Sequence, residues 1–349
     1  MRVRKPILNL LEKCFMASLC QGSLLVAGVI DPTPPVLSET LGATIVTLAG
    51  HAGSGSEKLT FISLQLIRQG AAQGVLTSTG TMSLTDAAAN GDWSNDQFNG
   101  ANGSFFVEIT SGAALGSMSD IADTADTGIL TTSDDLSAQA APPTVGDTYA
   151  VRPHVTFDAL IPNGGGLFKD PDVNVADNVL VVTSSGTVAT FFHNGTNWRQ
   201  AGAGIAADDT TLMPEKGLIL RRRQALAVDL TFLGIAKEGA TVVPVEQGFN
   251  LLGALRAASA VALKDLGLYT GSDTTGVVAG SNPTKSDNLL IIQPSGAVSR
   301  YFYFTGSQLL DGWYDPGYTA AGEVLIQPGT SFYIERKSGG SFNWSIPAQ

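Results

Sequence analysis

His51, His154 and His193 are the only imidazoles in this chain, and each lies in a different region. No two are four residues apart and no His-Glu-x-x-His run occurs, so helical spacing builds no zinc site. Gly53-Ser54-Gly55-Ser56 lacks the strand-to-helix context that exposes a serine nucleophile and reads as a flexible linker. No Gly-x-x-x-x-Gly-Lys phosphate loop is present, and Gly164-Gly165-Gly166 reads as an ordinary loop. The acidic groups offer more. Asp170, Asp172 and Asn174 place oxygens at alternate positions, as a calcium loop begins, but Val175 and Val181 stand where that loop needs glycine and a bidentate glutamate. Ca2+ at this segment is the single cofactor the sequence offers; otherwise none is expected. Asp120, Asp123 and Asp126, with Asp134 and Asp135 beyond, form a second acidic group whose ordinary reading is solvated loop.

Two further sets carry chemistry. Trp313, Tyr314 and Tyr318 fall in a Gly/Asp-rich stretch where amphipathic rings could offer a flat face to a sugar. Large aromatics are more often buried, however, and Trp198 occupies the matching place earlier in the chain, so packing is the stronger reading of the tryptophans. Arg221-Arg222-Arg223 is the one basic run. Arg222 matches Arg336 just as Asp177 matches Asp287, which predicts equivalent structural ion pairs, Arg222 with Asp177 and Arg336 with Asp287. Anion binding by the arginine run is the sharper alternative.

These matches come from an internal repeat. Ala176 to Val182 recurs as Ser286 to Ile292, Val155 to Leu160 as Val261 to Leu266, and Phe191-Phe192 as Tyr301-Phe302. Pro214 with Leu218 to Leu220 answers Pro328 with Phe332 to Ile334, and Tyr149-Ala150-Val151 is aligned with Phe249-Asn250-Leu251. The unit is far longer than the roughly 20–50 residue period of solenoids, so duplicated domains are expected and not a stacked array. Each unit reads as a strand, a short helix near Val155 to Ile161 or Ser259 to Leu266, then several strands. Helices that short need a sheet to lean on. Before the repeat, alternating apolar positions predict strands near residues 43–48, 59–67, 74–77 and 104–110. Residues 112–146 read as loop with one strand at 127–132.

The frame from Gly146 to Thr156, with Asp177-Asn178 and the Trp, Pro-Gly and aromatic ending, resembles an uncharacterised verrucomicrobial secreted-protein family. The second copy is also similar to a common extracellular β-module. That module opens with a strand like Gly248-Phe249-Asn250-Leu251-Leu252-Gly253 and closes with one like Pro328-Gly329-Thr330-Ser331-Phe332-Tyr333. The first copy departs from it, with Glu215-Lys216-Gly217 in place of Pro-Gly. The resemblance implies export and β-structure and brings no catalytic residues.

Composition agrees. Only 15% of the 349 residues are charged, against about 25% typically, and 40 are glycine. Arg2, Arg4 and Lys5 before an apolar stretch from Phe15 to Ala27 predict a signal peptide over residues 1–28. Both cysteines, Cys14 and Cys20, lie within it. Without those residues, 16 basic and 30 acidic side chains leave a net charge of −14, which opposes nucleic-acid binding. The expected fold is all-β: an N-terminal β-region over 29–145, then two duplicated small β-barrel or sandwich domains over 146–240 and 241–349, each with one short helix. The expected function is a non-enzymatic exported protein of periplasm, cell surface or extracellular space, structural or adhesive. Polysaccharide or other envelope proteins would be its partners, and no transmembrane span is expected in the mature chain. A carbohydrate-binding module using the Trp313 loop is the rival, and a carboxylate-dependent glycoside hydrolase the weaker alternative.

Overall fold

Among the described residues, strands account for nearly all the regular structure, and the longest helical segment is the four-residue helix Phe157–Leu160. The structure, a computed structural model, describes residues 41–50, 57–64, 66–182, 187–237, 239–253, 259–293, 297–306 and 310–347. The expected signal peptide, His51 and the Gly53 to Ser56 linker lie outside them. Among the described residues, no helix is long and apolar enough to cross a membrane.

Two β-sandwiches share one plan. In the second, a five-stranded antiparallel sheet runs in the order Gly248–Gly253, Ser331–Arg336, Asn288–Ile292, Val298–Phe304, Gly312–Tyr314. A ribbon of Thr241–Val245 and Phe342–Ile346 packs over one face of this sheet. Phe342, Trp344 and Ile346 alternate with exposed Asn343 and Ser345, the two-residue period that puts one strand face in the core. The first sandwich repeats the order as Lys58–Ser63, Gly217–Arg222, Asn178–Val182, Val188–His193, Trp198–Gln200. Its ribbon is Leu41–Leu48 paired with Val228–Ala236, extended by Leu66–Ile67. Registers agree as well as order. Asn178 lies opposite Phe192 and Asn288 opposite Phe302, while His193 faces Trp198 and Tyr303 faces Trp313. A bulky residue is thereby fixed at the same core position twice.

The structure corrects the expected boundaries. Thr148–Pro153, whose Tyr149-Ala150-Val151 the sequence aligned with Phe249-Asn250-Leu251, does not open the first sandwich. It pairs with Ala72–Val75 and Phe105–Ile109 in a separate seven-stranded sheet. Lys58–Ser63 takes the place aligned to it, so the first sandwich draws three strands from the expected N-terminal region. The seven-stranded sheet, residues 72–153, is inserted between the strands ending at Ser63 and Ile67 and the short strand Val155–Thr156. In the second sandwich the corresponding strands, Gly248–Gly253 and Val261–Ala262, are seven residues apart in the chain. Insertion is geometrically easy because entry and exit strands are neighbours: Ala72 pairs with Val151, and Ala71 N–H donates to Val151 O at 2.7 Å. The alignment failed because Tyr149-Ala150-Val151 has the apolar pattern of any half-buried strand, which does not specify a partner.

The inserted sheet runs Ala72–Val75, Thr148–Pro153, Phe105–Ile109, Met118–Ala125, Ile129–Thr132, Ser83–Thr85, Ser78–Gly80. Met118–Ala125 falls where a loop was expected, since its small polar residues mask the alternation and its ladder shifts register between Ile121 and Asp123. Tyr149, Val151, Val107 and Ile109 face a core with Phe98 and Leu136. The opposite face carries Glu108, Arg152 and His154, all buried.

The two sandwiches meet back to back through a self-complementary contact. Ser63 N–H donates to Gly329 O at 2.8 Å, and Gly253 N–H donates to Glu215 O at 3.1 Å. These are the same bond with the sandwiches exchanged, because Ser63 corresponds to Gly253 and Glu215 to Gly329. Phe61 packs edge-on to Tyr333, and Ile219 lies with Leu251 and Leu180 in the same apolar cluster. A contact in which each side repeats the other's role is the pattern of a two-fold interface, here within one chain. Corresponding residues also meet each other: a Cβ on Gly217 would lie 2.6 Å from Ser331 Cβ, and one on Gly253 would collide with Ser63. Each pair sets a small side chain against none.

Candidate functional site

The predicted ion pairs form, and they hold backbone. Arg336 Nη1 donates to Asp287 Oδ2 at 2.7 Å, with both side chains 0% exposed. Asp287 also accepts from Val278 N–H at 2.7 Å and Lys337 N–H at 2.8 Å. Arg336 donates further to the carbonyls of Gly276 and Gly340. In the first sandwich, Arg222 contacts Asp177, which accepts from Phe168 N–H at 2.8 Å and Arg223 N–H at 2.7 Å. Each carboxylate therefore ties a loop to a strand end, with every contact matched in the other sandwich. The arginine run is likewise engaged: Arg221 lies 3.2 Å from Glu57, and Arg223 donates to Asn178 Oδ1 at 3.1 Å.

Asp170, Asp172 and Asn174 do not converge as a calcium loop would. Asp170 Oδ1 accepts from Asp172 N–H, and Asp172 Oδ1 accepts from Asn174 N–H, both at 2.8 Å. These are Asx turns, in which the side chain mimics a backbone acceptor. The second sandwich makes the corresponding turn with a neutral residue, Asn282, accepting from Thr284 N–H at 3.0 Å. The turn requires an oxygen and no charge. Among the described residues, no group of three His, Cys, Asp or Glu side chains is placed to hold a metal ion. Asp120, read as loop acid, sits on a strand with Oδ1 2.9 Å from His154 Nε2.

The three aromatics singled out for sugar binding do not form one platform. Trp313 is buried in the second core and Trp198 in the first. Tyr314 packs edge-on to Phe304, and its hydroxyl donates to Leu310 O at 3.0 Å. Tyr318 alone is exposed, at 41%, and stands edge-on to Phe302 and Phe304 with its hydroxyl on Ser281 O. Alternation along the strand separates the rings, sending Trp313 to one face and Tyr314 to the other.

An aromatic groove does exist nearby, on residues the sequence did not single out. Tyr269 stacks on Tyr303 with centroids 3.7 Å apart and planes 17° off parallel, and Tyr303 meets Trp313 edge-on at 5.6 Å. Both tyrosines are half-buried and line a groove of about 450 Å³ with Asp311, Lys264 and Glu323. Lys264 Nζ donates to Glu323 Oε1 at 2.5 Å, and this bond raises the ammonium pKa. Burial, with Tyr269 and Asp311 beside it, raises the Tyr303 phenol, so its hydroxyl stays protonated. In the first sandwich the corresponding strand position is His193, buried and edge-on to Trp198. Burial lowers the His193 pKa, with Lys169 also lowering it against Asp208 and Asp158. The sequence by itself pairs His193 with Tyr303 at matching strand ends; that each faces a tryptophan is decided by the fold.

A second unannounced cluster joins the inserted sheet to the first sandwich. Glu108 accepts from Arg152 Nε at 2.8 Å and contacts Lys237 Nζ, all three side chains being buried. Burial pushes Lys237 down to about 8, so it is still an ammonium at neutral pH. The signal was a lone glutamate inside the apolar strand Phe105–Ile109, since buried charges are seldom found unpaired.

Compared with known proteins, the chain matches no family model, no curated protein and no solved structure.

Proposed function

We propose that this is an exported, non-enzymatic protein of the periplasm, cell surface or extracellular space, acting as a structural or adhesion component. We further infer that the two sandwiches are copies of one duplicated module. One observation carries the functional reading: Asp177, Asp287 and Asp172, which sequence alone offered for chemistry, are occupied in fastening backbone, at places matched in the other sandwich. Asp177 and Asp287 each hold a loop and a strand end, and Asp172 and Asn282 each close a turn. The resemblance to secreted proteins, the basic-then-apolar start and the acidic, cysteine-free remainder support export. Polysaccharide and other envelope proteins are the partners proposed.

The test is fractionation of native cells with antibody detection and N-terminal sequencing of the product. A protein processed near residue 28 and recovered outside the cytoplasm is the expected result. An intact N-terminus in the cytoplasmic fraction refutes export, and turnover of a polysaccharide by the purified protein refutes the non-enzymatic assignment.

A further inference from the structure

We propose that the groove beside Tyr269 and Tyr303 binds a neutral oligosaccharide. The inference rests on the adhesion reading above and names its ligand class. The core does not require these side chains, because the first sandwich is built without them. Their counterparts follow from the hydrogen bonds. Val277 N–H donates to Leu268 O as Leu167 N–H donates to Gly164 O, both at 2.9 Å, and a Cβ on Gly164 would lie 2.9 Å from the His193 ring. Lys264 N–H donates to Gly322 O at 3.1 Å as Asp158 N–H donates to Asp208 O at 3.2 Å, so Lys264 corresponds to Asp158 and Gly322 to Asp208. Where the second sandwich has Tyr303 stacked on Tyr269, the first has His193 beside glycine. The framework is common to both; the aromatic groove belongs to one.

The chemistry of the lining selects the ligand. A sugar ring has an apolar C–H face and an equatorial girdle of hydroxyls, so it needs aromatic surface beside hydrogen-bonding side chains. Tyr269 and Tyr303 supply the first; Asp311, Glu323 and Lys264 supply acceptors and a donor. The rim carries two carboxylates to one ammonium, and the chain has a formal net charge of −11, so polyanions are disfavoured. The groove's volume of about 450 Å³ falls within the usual span of small-ligand sites. Gly312 and Gly322 at its edge allow close approach to backbone.

Isothermal titration and saturation-transfer NMR with neutral hexasaccharides of glucose, xylose, mannose and N-acetylglucosamine, with polygalacturonate as the anionic comparison, test this on the purified full chain. Binding by at least one neutral hexasaccharide at a Kd of about 1 mM or tighter is expected. Tyr269→Ala should weaken it by on the order of tenfold or more. Tyr269→Phe, which keeps the ring, and Tyr318→Ala, outside the groove, should leave it within about twofold. Unchanged melting curves establish that Tyr269→Ala is folded. Absence of binding by every neutral hexasaccharide, full affinity in folded Tyr269→Ala, or preference for polygalacturonate overturns the proposal. The titration does not depend on cellular address, so failure of export in fractionation leaves its result standing.

Discussion

Replacing Asp287 by alanine tests whether the paired arginine and aspartate hold the second sandwich together. The carboxylate accepts from Arg336, Val278 N–H and Lys337 N–H within 2.8 Å, in a site closed to water. Its loss strands two backbone donors and a guanidinium. Breaking a buried pair by removing one partner costs about 3–5 kcal/mol. The carbonyls of Gly276 and Gly340 still accept from Arg336 and soften that cost, which places the expectation near 4 kcal/mol on that scale. Urea unfolding followed by circular dichroism measures it. The double variant Asp287→Ala/Arg336→Met also removes the orphaned cation, so its cost should fall short of the sum of the single costs by about 2 kcal/mol. Asp177→Ala should cost the same or slightly less, because Arg222 keeps 7% side-chain exposure against 0% for Arg336. A loss below about 1 kcal/mol for Asp287→Ala, or strict additivity in the double variant, refutes the assigned role.

Three other outcomes are expected. Gly217→Ala should destabilise by about 1–3 kcal/mol in thermal melts, because its Cβ meets Ser331 and Leu251 across the contact between sandwiches; unchanged stability would deny the close approach. Glu108→Ala should leave Arg152 and Lys237 buried without their carboxylate, costing about 3–5 kcal/mol and driving the Lys237 pKa below about 8, as amine titration by NMR reports. His193 is held below its ordinary pKa by burial, so the unfolded chain takes up its proton first as pH falls through about 6.5 and stability declines on acidification. Protonation would also convert Nδ1, which accepts from Gly195 N–H, into a donor. Urea unfolding between pH 7.5 and 5.5 should therefore show a steeper decline in wild type than in His193→Gln, and equal slopes would contradict the effect.

Sequence by itself determined the class of fold and the local elements. Few charged residues, many glycines and two-residue alternation over stretches such as Phe342–Ile346 admit strands and little else, since side-chain period follows from backbone geometry. It also identified Asp177, Arg222, Asp287 and Arg336 as contacts, because opposite charges recurring together at matching places leave a mark independent of loop length. Which strand pairs with which was decided only in three dimensions. Tyr149-Ala150-Val151 and Leu59-Thr60-Phe61-Ile62 are equally good strands by pattern, yet only Lys58–Ser63 joins Gly217–Arg222, with a whole sheet intervening in the chain. Strand pairing is non-local, and alternation records which face is buried without recording a neighbour. The groove was hidden for the same reason: Tyr269 and Tyr303 are 34 positions apart in the chain and stack only because the sheet and the loop that crosses it bring them together.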